Sequence, residues 1–331
     1  MKRGKNVKLT VASFFSGCGG LDLGFKKAGF KITFANDYDR DIWETFEKNH
    51  NLTIDRRSIR DIDSKEVPDC DGIIGGPPCQ SWSLAGTMKG LNDNRGKLFY
   101  EYIRIIQEKN PKFFVAENVA GILSSTHKPE FDKIINKFDE IGYNVEYKLV
   151  NAKDFGVPQD RKRVIVVGYR KDLNKTFSFP NLLKKKVTLK DSIFDLSPSL
   201  PALEKNKPNN NLVVPNQEYM IGSFSTIYLS RNRRRDWKDV SFTIQAGGRH
   251  APLHPSSPEM IKIGKDEWKF NGNKSKIKRL SIRECARIQT FPEDFIFHYD
   301  NVSKGYKMIG NAVPVNLAKV IAKKIYSDLA N

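Results

Sequence analysis

The chain has 331 residues, a length that suits two domains or one large domain with an insertion. Its 56 Lys and Arg residues outnumber its 38 Asp and Glu residues, and the resulting net charge of +18 predicts a polyanionic partner. No apolar run approaches the roughly 20 residues that a membrane span needs, and the basic N-terminus lacks the apolar stretch of a signal peptide. We therefore expect a cytoplasmic protein that does not bind membranes.

The four cysteines are far apart in the sequence and form no C-x-x-C pair. This spacing argues against a zinc site and against a disulfide framework, so we expect no bound metal. At least one cysteine can then serve as a reactive thiol. The four are Cys18, Cys70, Cys79 and Cys285.

A strand, a glycine turn and a helix are predicted in succession near the N-terminus. Residues 10–15 are apolar and suit a strand, residues 16–20 contain three glycines, and a helix follows. Backbone N–H groups in such a turn can hold a nucleotide-like ligand. Because Asp22 stands where the dinucleotide fingerprint has its third glycine, the pattern disfavours NAD.

A second predicted strand, residues 32–35, ends close to Asp37. An acid about 20 residues after a glycine turn is placed to hold ribose hydroxyl groups. The alternative is that Asp37 caps a helix that begins near Arg40.

The most informative stretch is the loop at residues 75–80, which follows a short apolar strand. Its two prolines fix their own backbone and bias the preceding residues towards extended geometry, so they present Cys79 in a nearly fixed orientation at the carboxyl end of a strand. Ligands bind at that end of an α/β sheet. The alternative is a buried cysteine that acts as a small hydrophobic side chain. The long polar loop that follows, residues 81–95, is predicted to be a lid.

Strands and helices continue to alternate up to residue 168, which predicts a doubly wound α/β layer. One of these strands ends at Glu117, so a polar side chain again stands at a carboxyl end. The predicted elements are a helix at residues 98–106, a strand at 113–116, a helix at 131–141 and strands at 143–150 and 164–168.

After Pro180 the composition changes to Asn, Pro, Lys and Arg, which predicts a second, less regular domain with short strands near residues 221–229 and 240–245. Its basic run at residues 231–235, flanked by aromatic side chains, favours nucleic-acid binding over a merely solvated basic face. A final helix at about residues 314–329 has one apolar face and should pack back on the first domain.

Six sequence blocks in a fixed order resemble the cytosine-5 DNA methyltransferases. The middle segment is similar to that of the HaeIII-type members, which modify GGCC. The six blocks are residues 15–21, 76–80, 117–119, 159–163, 283–292 and 310–313.

The resemblance implies a Rossmann-like, doubly wound fold that depends on S-adenosyl-L-methionine, with a smaller and irregular target-recognition domain. The implied divisions are residues 1–183 for catalysis and cofactor binding, 184–280 for target recognition, and 281–331 for a return to the catalytic domain. The implied partner is double-stranded DNA. We expect a monomer, with a cognate restriction endonuclease in the cell but no stable complex with it.

The resemblance also assigns roles to residues. It makes Cys79 the nucleophile, places Glu117 at N3 of the cytosine and Arg163 at O2, and gives Arg161 the task of orienting the site and the phosphate backbone. Asp37 would hold the ribose, and Tyr38 and Ile59 would cover the adenine. The cofactor set is Phe15, Gly17, Gly19, Gly20, Leu21, Asp37, Tyr38, Ser58, Ile59, Pro78, Leu98, Phe291, Asn311 and Val313. The DNA-binding set is Ser83, Ile227, Arg231, Arg233, Arg235 and Arg249.

Ser58 departs from the family pattern, which usually has an acid at this place to accept from the adenine amino group. A hydroxyl can accept the same hydrogen bond but is uncharged, so weaker cofactor binding is expected. Three alternatives compete with the main interpretation: an RNA cytosine-5 methyltransferase, a catalytically silent DNA-binding protein and a Rossmann oxidoreductase. The intact catalytic residues and the glycine pattern weigh against the last two.

Overall fold

A computed structural model describes residues 8–78, 96–183, 186–209 and 211–330. The predicted nucleophile Cys79, the loop residue Ser83 and the predicted lid therefore lie outside the described residues. The chain forms two compact units. The first comprises Met1–Val150, Lys162–Asn181 and Leu317–Asn331, and the second comprises Asn151–Arg161 and Leu182–Asn316.

A six-stranded sheet forms the centre of the first unit. The strands lie in the order β2-β1-β3-β4-β6-β5. The pairs β1–β2, β1–β3 and β3–β4 are parallel, and β4–β6 is antiparallel. The mostly parallel α/β sheet expected from the alternation is confirmed. The strands are β1 (Thr10–Phe14), β2 (Lys31–Asn36), β3 (Gly72–Gly75), β4 (Phe113–Val119), β5 (Tyr143–Asn151) and β6 (Lys162–Arg170).

One face of the sheet is covered by helices α3 and α4. Side chains that alternate along the strands, such as Phe14 and Phe114, pack with Tyr102 of α3 and Phe138 of α4 in a single buried cluster. The Phe114 and Phe138 rings are stacked 4.1 Å apart. The first four helices are α1 (Gly20–Ala28), α2 (Trp43–His50), α3 (Gly96–Lys109) and α4 (Lys128–Glu140).

The second unit contains short elements joined by irregular chain. The expected strands at residues 221–229 and 240–245 are wrong: the first segment ends in a 3-10 turn at Tyr228–Ser230, and the second contributes only an isolated bridge from Ser241 to Gln159. Carbonyl groups of the first segment accept hydrogen bonds from arginine side chains instead of from a neighbouring strand. The elements are α5 (Leu189–Ile193), β7 (Leu200–Pro201), β8 (Glu218–Tyr219), β9 (Glu259–Gly264), β10 (Glu267–Asn271), α6 (Ile282–Ile288) and α7 (Val302–Asn311).

The last helix, α8 (Val315–Leu329), returns to the first unit as its apolar face predicted. A Cβ atom on Gly24 of α1 would lie 2.3 Å from the Cβ of Ala318, so the two helices approach too closely for any side chain at that position. The Tyr326 ring meets Phe30 edge-on at 5.3 Å. Because Phe25 of α1 stacks on Phe113 of β4, α1 covers the face opposite to α3 and α4, and the sheet has helices on both faces.

Across the described ranges, no helix is long and apolar enough to cross a membrane. The same part of the chain contains no group of three His, Cys, Asp or Glu side chains that could hold a metal ion.

Candidate active site

The glycine turn follows β1 directly, and its backbone explains why glycines stand there. Gly17 and Gly19 both have positive φ angles, of 55° and 87°. A Cβ atom on Gly19 would lie 2.0 Å from Nε2 of His50, so this position admits no side chain. A Cβ atom on Gly17 would meet nothing within 4 Å, which means that the turn borders open space at this point. A ligand can therefore approach the backbone closely at Gly17.

Asp37 stands beside this turn, immediately after β2. Its Oδ2 accepts a hydrogen bond of 2.8 Å from the backbone N–H of Gly17, and its Oδ1 accepts one of 2.9 Å from the N–H of Asp39. The alternative of a helix cap is not what the structure shows, because α2 begins at Trp43 and has Ile42 at its N-cap. The sheet thus brings together the glycine turn and the acid that the sequence set about 20 residues apart.

Ser58 caps a short 3-10 helix, Ile59–Asp61, in which its side-chain oxygen accepts from the N–H of Arg60 at 3.4 Å. This long hydrogen bond leaves the hydroxyl able to accept a second one. The segment is held against β2 by Asn36, whose Nδ2 donates to the carbonyl oxygens of Asp55 and Arg57 at 3.0 and 2.8 Å. Sequence reasoning missed Asn36, because a polar residue at a strand end gives no sign of its partners.

The remaining cofactor candidates of the first unit differ in burial. Ile59 is 2% exposed and belongs to the buried cluster that includes side chains of α3. Phe15 and Leu98 are partly buried and pack against this cluster. Tyr38 is 74% exposed, so its ring is free to cover a ligand. Pro78 is half-buried, and Gly20 and Leu21 form the buried first turn of α1.

Asp22 is a buried carboxyl group that the sequence singled out only as a mismatch to the dinucleotide fingerprint. It is fully buried in the first turn of α1, and burial raises its pKa from 3.8 to about 7, although a hydrogen bond with Ser13 opposes the rise. Ser13 also accepts from the Ser16 hydroxyl at 2.9 Å. A protonatable acid therefore lies beneath the glycine turn.

Glu117 and Arg163 form an ion pair on adjacent strands. Arg163 of β6 lies opposite Val119 of β4 in the antiparallel register, and Glu117 is two residues from Val119, so all three side chains stand on one face. The Nε atom of Arg163 is 2.8 Å from Oε1 of Glu117, and the two side chains are only 12% and 10% exposed. A mostly buried carboxylate and guanidinium are thus fixed at the end of β4.

The loop at residues 75–80, which contains the two prolines, begins next to this pair. A Cβ atom on Gly76 would be 3.7 Å from Oε2 of Glu117. The buried side chain of Asn118 donates from Nδ2 to the carbonyl oxygen of Pro77 at 3.1 Å. The loop that leads to Cys79 is therefore tied to the strand that bears Glu117, and Asn118 is a further residue that sequence reasoning did not single out.

The three described cysteines have the properties of unreactive thiols. Burial raises the pKa of Cys18 to about 12 and that of Cys70 to about 11, and it raises the pKa of Cys285 well above its usual value. Because the thiolate is the nucleophilic form, none of these three suits covalent catalysis at neutral pH.

Arg161 belongs to the second unit and is 1% exposed. Its Nη1 donates to the carbonyl oxygen of Ile244 at 3.1 Å, and its Nη2 donates to those of Gly310 and Ala312 at 2.8 and 3.0 Å. The guanidinium is enclosed by protein carbonyls and fixes the backbone around Asn311.

The cofactor candidates of the second unit differ in exposure. Phe291 is 3% exposed and packs with Phe295 and Phe297 at ring distances of 4.7 and 5.3 Å. Val313 is 7% exposed, and Asn311, the last residue of α7, is exposed. The structure thus leaves only the Asn311 side chain broadly accessible among these three.

The candidate DNA-binding side chains fall into two groups. Ile227 is 66% exposed, and Arg231 and Arg249 are also exposed. Arg233, in contrast, is 7% exposed, and the Arg235 guanidinium lies 4.1 Å from the centre of the Phe242 ring. Sequence spacing could not separate these arginines, because exposure depends on the irregular path of the chain.

The sheet and the placement of its glycine turn define a mixed α/β methyltransferase fold. Two solved structures share it at low sequence identity. A prophage-encoded protein of E. coli gives a TM-score of 0.74 with 24% identity, covering 98% of this chain and 100% of the other. The Entamoeba histolytica methyltransferase EhMeth gives 0.72 with 20% identity, covering 97% of this chain and 99% of the other.

The sequence itself identifies the family. The profile for C-5 cytosine-specific DNA methylases matches residues 9–327, and the chain belongs to this family of DNA (cytosine-5) methyltransferases. It is similar to the type II methyltransferase M.MthTI of Methanothermobacter thermautotrophicus, with 62% identity over 98% of each chain. M.FnuDI of Fusobacterium nucleatum, also a type II methyltransferase, is 56% identical over 98% of this chain and 96% of its own length.

Proposed function

We propose that the enzyme transfers a methyl group from S-adenosyl-L-methionine to C5 of the inner cytosine of GGCC in duplex DNA, through a covalent bond between Cys79 and C6. The Glu117–Arg163 ion pair, next to the start of the loop that leads to Cys79, is the observation that carries this proposal. The chain would act as the methyltransferase of a type II restriction–modification system, as the names of its relatives M.MthTI and M.FnuDI suggest.

The glycine turn fits the proposed cofactor. Members of the family generally depend on S-adenosylmethionine, and the open space at Gly17 is where the backbone admits a ligand. The Asp37 carboxylate adjoins that space through its hydrogen bond to Gly17 and suits ribose hydroxyl groups. When bound, S-adenosylmethionine supplies an electrophilic methyl group. The other proposed contacts are those of the cofactor set given above.

The chemistry explains the choice of residue types. Cytosine C5 is a weak nucleophile, so the proposed first step is addition of the Cys79 thiolate to C6, which pushes electron density into the ring towards N3 and O2. Glu117 would hold or supply a proton at N3, and Arg163 would donate to O2, where negative charge develops. Transfer of the methyl group to C5 leaves S-adenosylhomocysteine. A base such as water then takes the C5 proton, and the electrons of the C5–H bond restore the C5–C6 double bond and expel the Cys79 thiolate by cleaving the S–C6 bond.

Cytosine C6 is not accessible inside a stacked duplex, so the target base must leave the helix. We propose that residues 81–95, including Ser83, close over the flipped base. We also propose the functional division into residues 1–183 for catalysis, 184–280 for target recognition and 281–331 for completion of the catalytic domain.

Recognition of GGCC is proposed for the DNA-binding set. Guanine presents O6 and N7 in the major groove, and the planar fork of arginine matches both acceptors. Exposed Arg231 and Arg249 are available for such contacts, and exposed Ile227 can press against or between bases. Arg233 uses Nε and Nη2 within the protein, so a contact with guanine would fall to its Nη1. Arg235 is proposed to contact phosphate, which adds affinity without sequence information.

Labelled S-adenosylmethionine offers the direct test. The account predicts methyl transfer to duplex DNA and none to tRNA, and bisulfite sequencing of a methylated plasmid should place the modified cytosines at the inner position of GGCC. Transfer to tRNA alone would support the RNA alternative. Modified cytosines lying mainly outside GGCC would refute the site assignment but not the chemistry.

A further inference from the structure

The segment Met220–Ser230 of the second unit is held from within by the side chain of Arg279. This guanidinium donates from Nη1 to the carbonyl oxygens of Met220 and Gly222, at 3.3 and 3.2 Å, and from Nη2 to that of Ser223 at 3.1 Å. Arg279 lies more than 50 residues along the chain, beside α6, and is 4% exposed. The Arg279 side chain thus satisfies backbone carbonyls that a neighbouring strand would satisfy in a sheet.

Two aromatic rings enclose the same guanidinium. Its central carbon lies 4.2 Å from the centre of the Phe224 ring and 5.6 Å from that of Tyr228. Tyr228 is fully buried, and its hydroxyl donates to the carbonyl oxygen of Ala251 at 3.0 Å. Planar stacking combined with several in-plane donors is specific to arginine, since lysine has a compact, strongly hydrated charge.

Arg233 secures the other end of the segment. Its Nε donates to the carbonyl oxygen of Tyr228 at 3.0 Å, its Nη2 donates to that of Ile227 at 3.2 Å, and its guanidinium lies 4.9 Å from the Tyr228 ring centre. The carbonyls of five residues in one short segment therefore accept from just two arginines.

The held segment carries exposed groups on its outer side. Ile227 is 66% exposed although the next residue, Tyr228, is completely buried, and Arg231 follows in an extended, exposed position. A large apolar side chain that is exposed at the end of a rigidly held segment is suited to contact a partner with little loss of conformational entropy.

We propose that Arg279 is a positioning residue for target recognition: it fixes Met220–Ser230 in the shape that presents Ile227 and Arg231 to DNA, without contacting a base or a phosphate itself. This inference rests on the proposed function, because it assumes that the second unit reads the DNA sequence. It distinguishes Arg279, which only shapes the segment, from Arg231 and Arg249, which are proposed to read DNA. Arg233 would do both, with Nε and Nη2 on the segment and Nη1 on guanine.

The test compares three variants. Arg279→Met removes the donors at similar length, Arg279→Lys keeps the charge but lacks the planar fork, and Lys276→Met removes one exposed charge from the same basic stretch without touching the segment. Bisulfite sequencing with the wild-type enzyme first defines its preferred site. The ratio of kcat/KM on that site to kcat/KM on a duplex with one altered base pair is then measured for each protein.

Both Arg279 variants should lose discrimination by about tenfold or more, the scale of one specific base contact. Their dissociation constants for S-adenosylmethionine should not change. Lys276→Met should weaken binding to all duplexes alike and keep the ratio. If Arg279→Lys discriminates as well as the wild-type enzyme, charge alone suffices and the proposal is overturned. It is also overturned if the activities on both duplexes fall equally.

Hydrogen exchange distinguishes a local loss of order in the segment from poor folding of the whole second unit. The proposal predicts faster exchange in residues 220–230 of both Arg279 variants and unchanged exchange in α6 and α7. Faster exchange throughout the second unit would instead show that Arg279 supports the whole unit, and would contradict a specific positioning role. A wild-type enzyme that does not methylate DNA would refute the proposed function before any variant is compared.

Discussion

Glu117 of β4 and Arg163 of β6 lie diagonally across an antiparallel strand pair, with 2.8 Å between Oε1 and Nε. The two side chains are little exposed, so their charges are compensated chiefly by each other. Removal of either charge should therefore affect both stability and catalysis, and the two effects can be separated experimentally.

The first prediction concerns catalysis by Glu117. Glu117→Gln keeps the shape of the side chain but cannot supply or hold a proton at N3, so kcat should fall by roughly 10²–10⁴-fold. The dissociation constant for S-adenosylmethionine should not change. Glu108→Gln, at the exposed end of α3, is the matched control and should retain full activity. A Glu117→Gln enzyme with near wild-type kcat would remove Glu117 from the mechanism.

Arg163 gives the second prediction. Arg163→Lys retains a positive charge but loses the fixed donor geometry, so kcat should fall by about 10²-fold. Arg170→Lys, at the other end of the same strand, should leave kcat unchanged. A single-turnover measurement with saturating cofactor and DNA distinguishes a slower chemical step from weaker binding. An unchanged single-turnover rate with a raised KM for DNA would assign Arg163 to binding alone.

The third prediction concerns the stability of the pair. Loss of one partner from a buried ion pair leaves an uncompensated charge, so Arg163→Met should lower the free energy of unfolding by about 3–5 kcal/mol. The double variant Glu117→Gln/Arg163→Met should recover a large part of that loss while remaining inactive. Urea denaturation of the four proteins measures the coupling, and strictly additive losses would show that the two charges do not stabilise each other.

Asp22 provides a prediction about pH. Its folded-state pKa is raised from 3.8 to about 7 by burial, so the folded state binds the proton more tightly than the unfolded chain does. Ionisation of Asp22 therefore costs stability as the pH rises from about 4, and the cost is complete above about 7. Asp22→Asn should be increasingly more stable than the wild-type protein across this window, by up to about 4 kcal/mol at 1.36 kcal/mol per pKa unit.

The measurement is the free energy of unfolding of both proteins, without cofactor, between pH 4 and 8. The difference at each pH cancels other groups, such as His50, whose pKa burial lowers to about 4. A pH-independent difference for Asp22→Asn would mean that Asp22 is not a buried titrating acid.

The sheet could be predicted because each strand has a recognisable pattern in its own local sequence. Residues 10–15 and 113–116 are short apolar runs that stop at glycine or polar residues, and both are strands in the structure. Parallel pairing then brings Gly17 and Asp37 together, although the sequence gives only their separation of 20 residues. Strand ends and alternation are local properties, and the architecture of the first unit follows from them.

The second unit could not be predicted in the same way. The residues at 221–229 resemble a strand, but four of their backbone carbonyls accept from Arg279 or Arg233, and no local pattern reveals such partners. For the same reason the sequence could not distinguish exposed Arg231 from buried Arg233, two residues away. Irregular structure is specified by individual long-range side-chain contacts, whereas a sheet is specified by a hydrogen-bonding pattern that repeats along each strand.

The central claim is that Cys79 attacks the target cytosine, and covalent trapping tests it most directly. A duplex with 5-fluorocytosine at the inner position of GGCC is incubated with the enzyme and S-adenosylmethionine. Because fluorine cannot leave as a proton does, the thiolate cannot be expelled after methylation, and the account predicts a stable complex in denaturing gels. Peptide mapping should place the DNA on Cys79, and Cys79→Ser should give no complex. An adduct on Cys18, Cys70 or Cys285, or methylation of normal DNA by Cys79→Ser at near wild-type rate, would contradict the account.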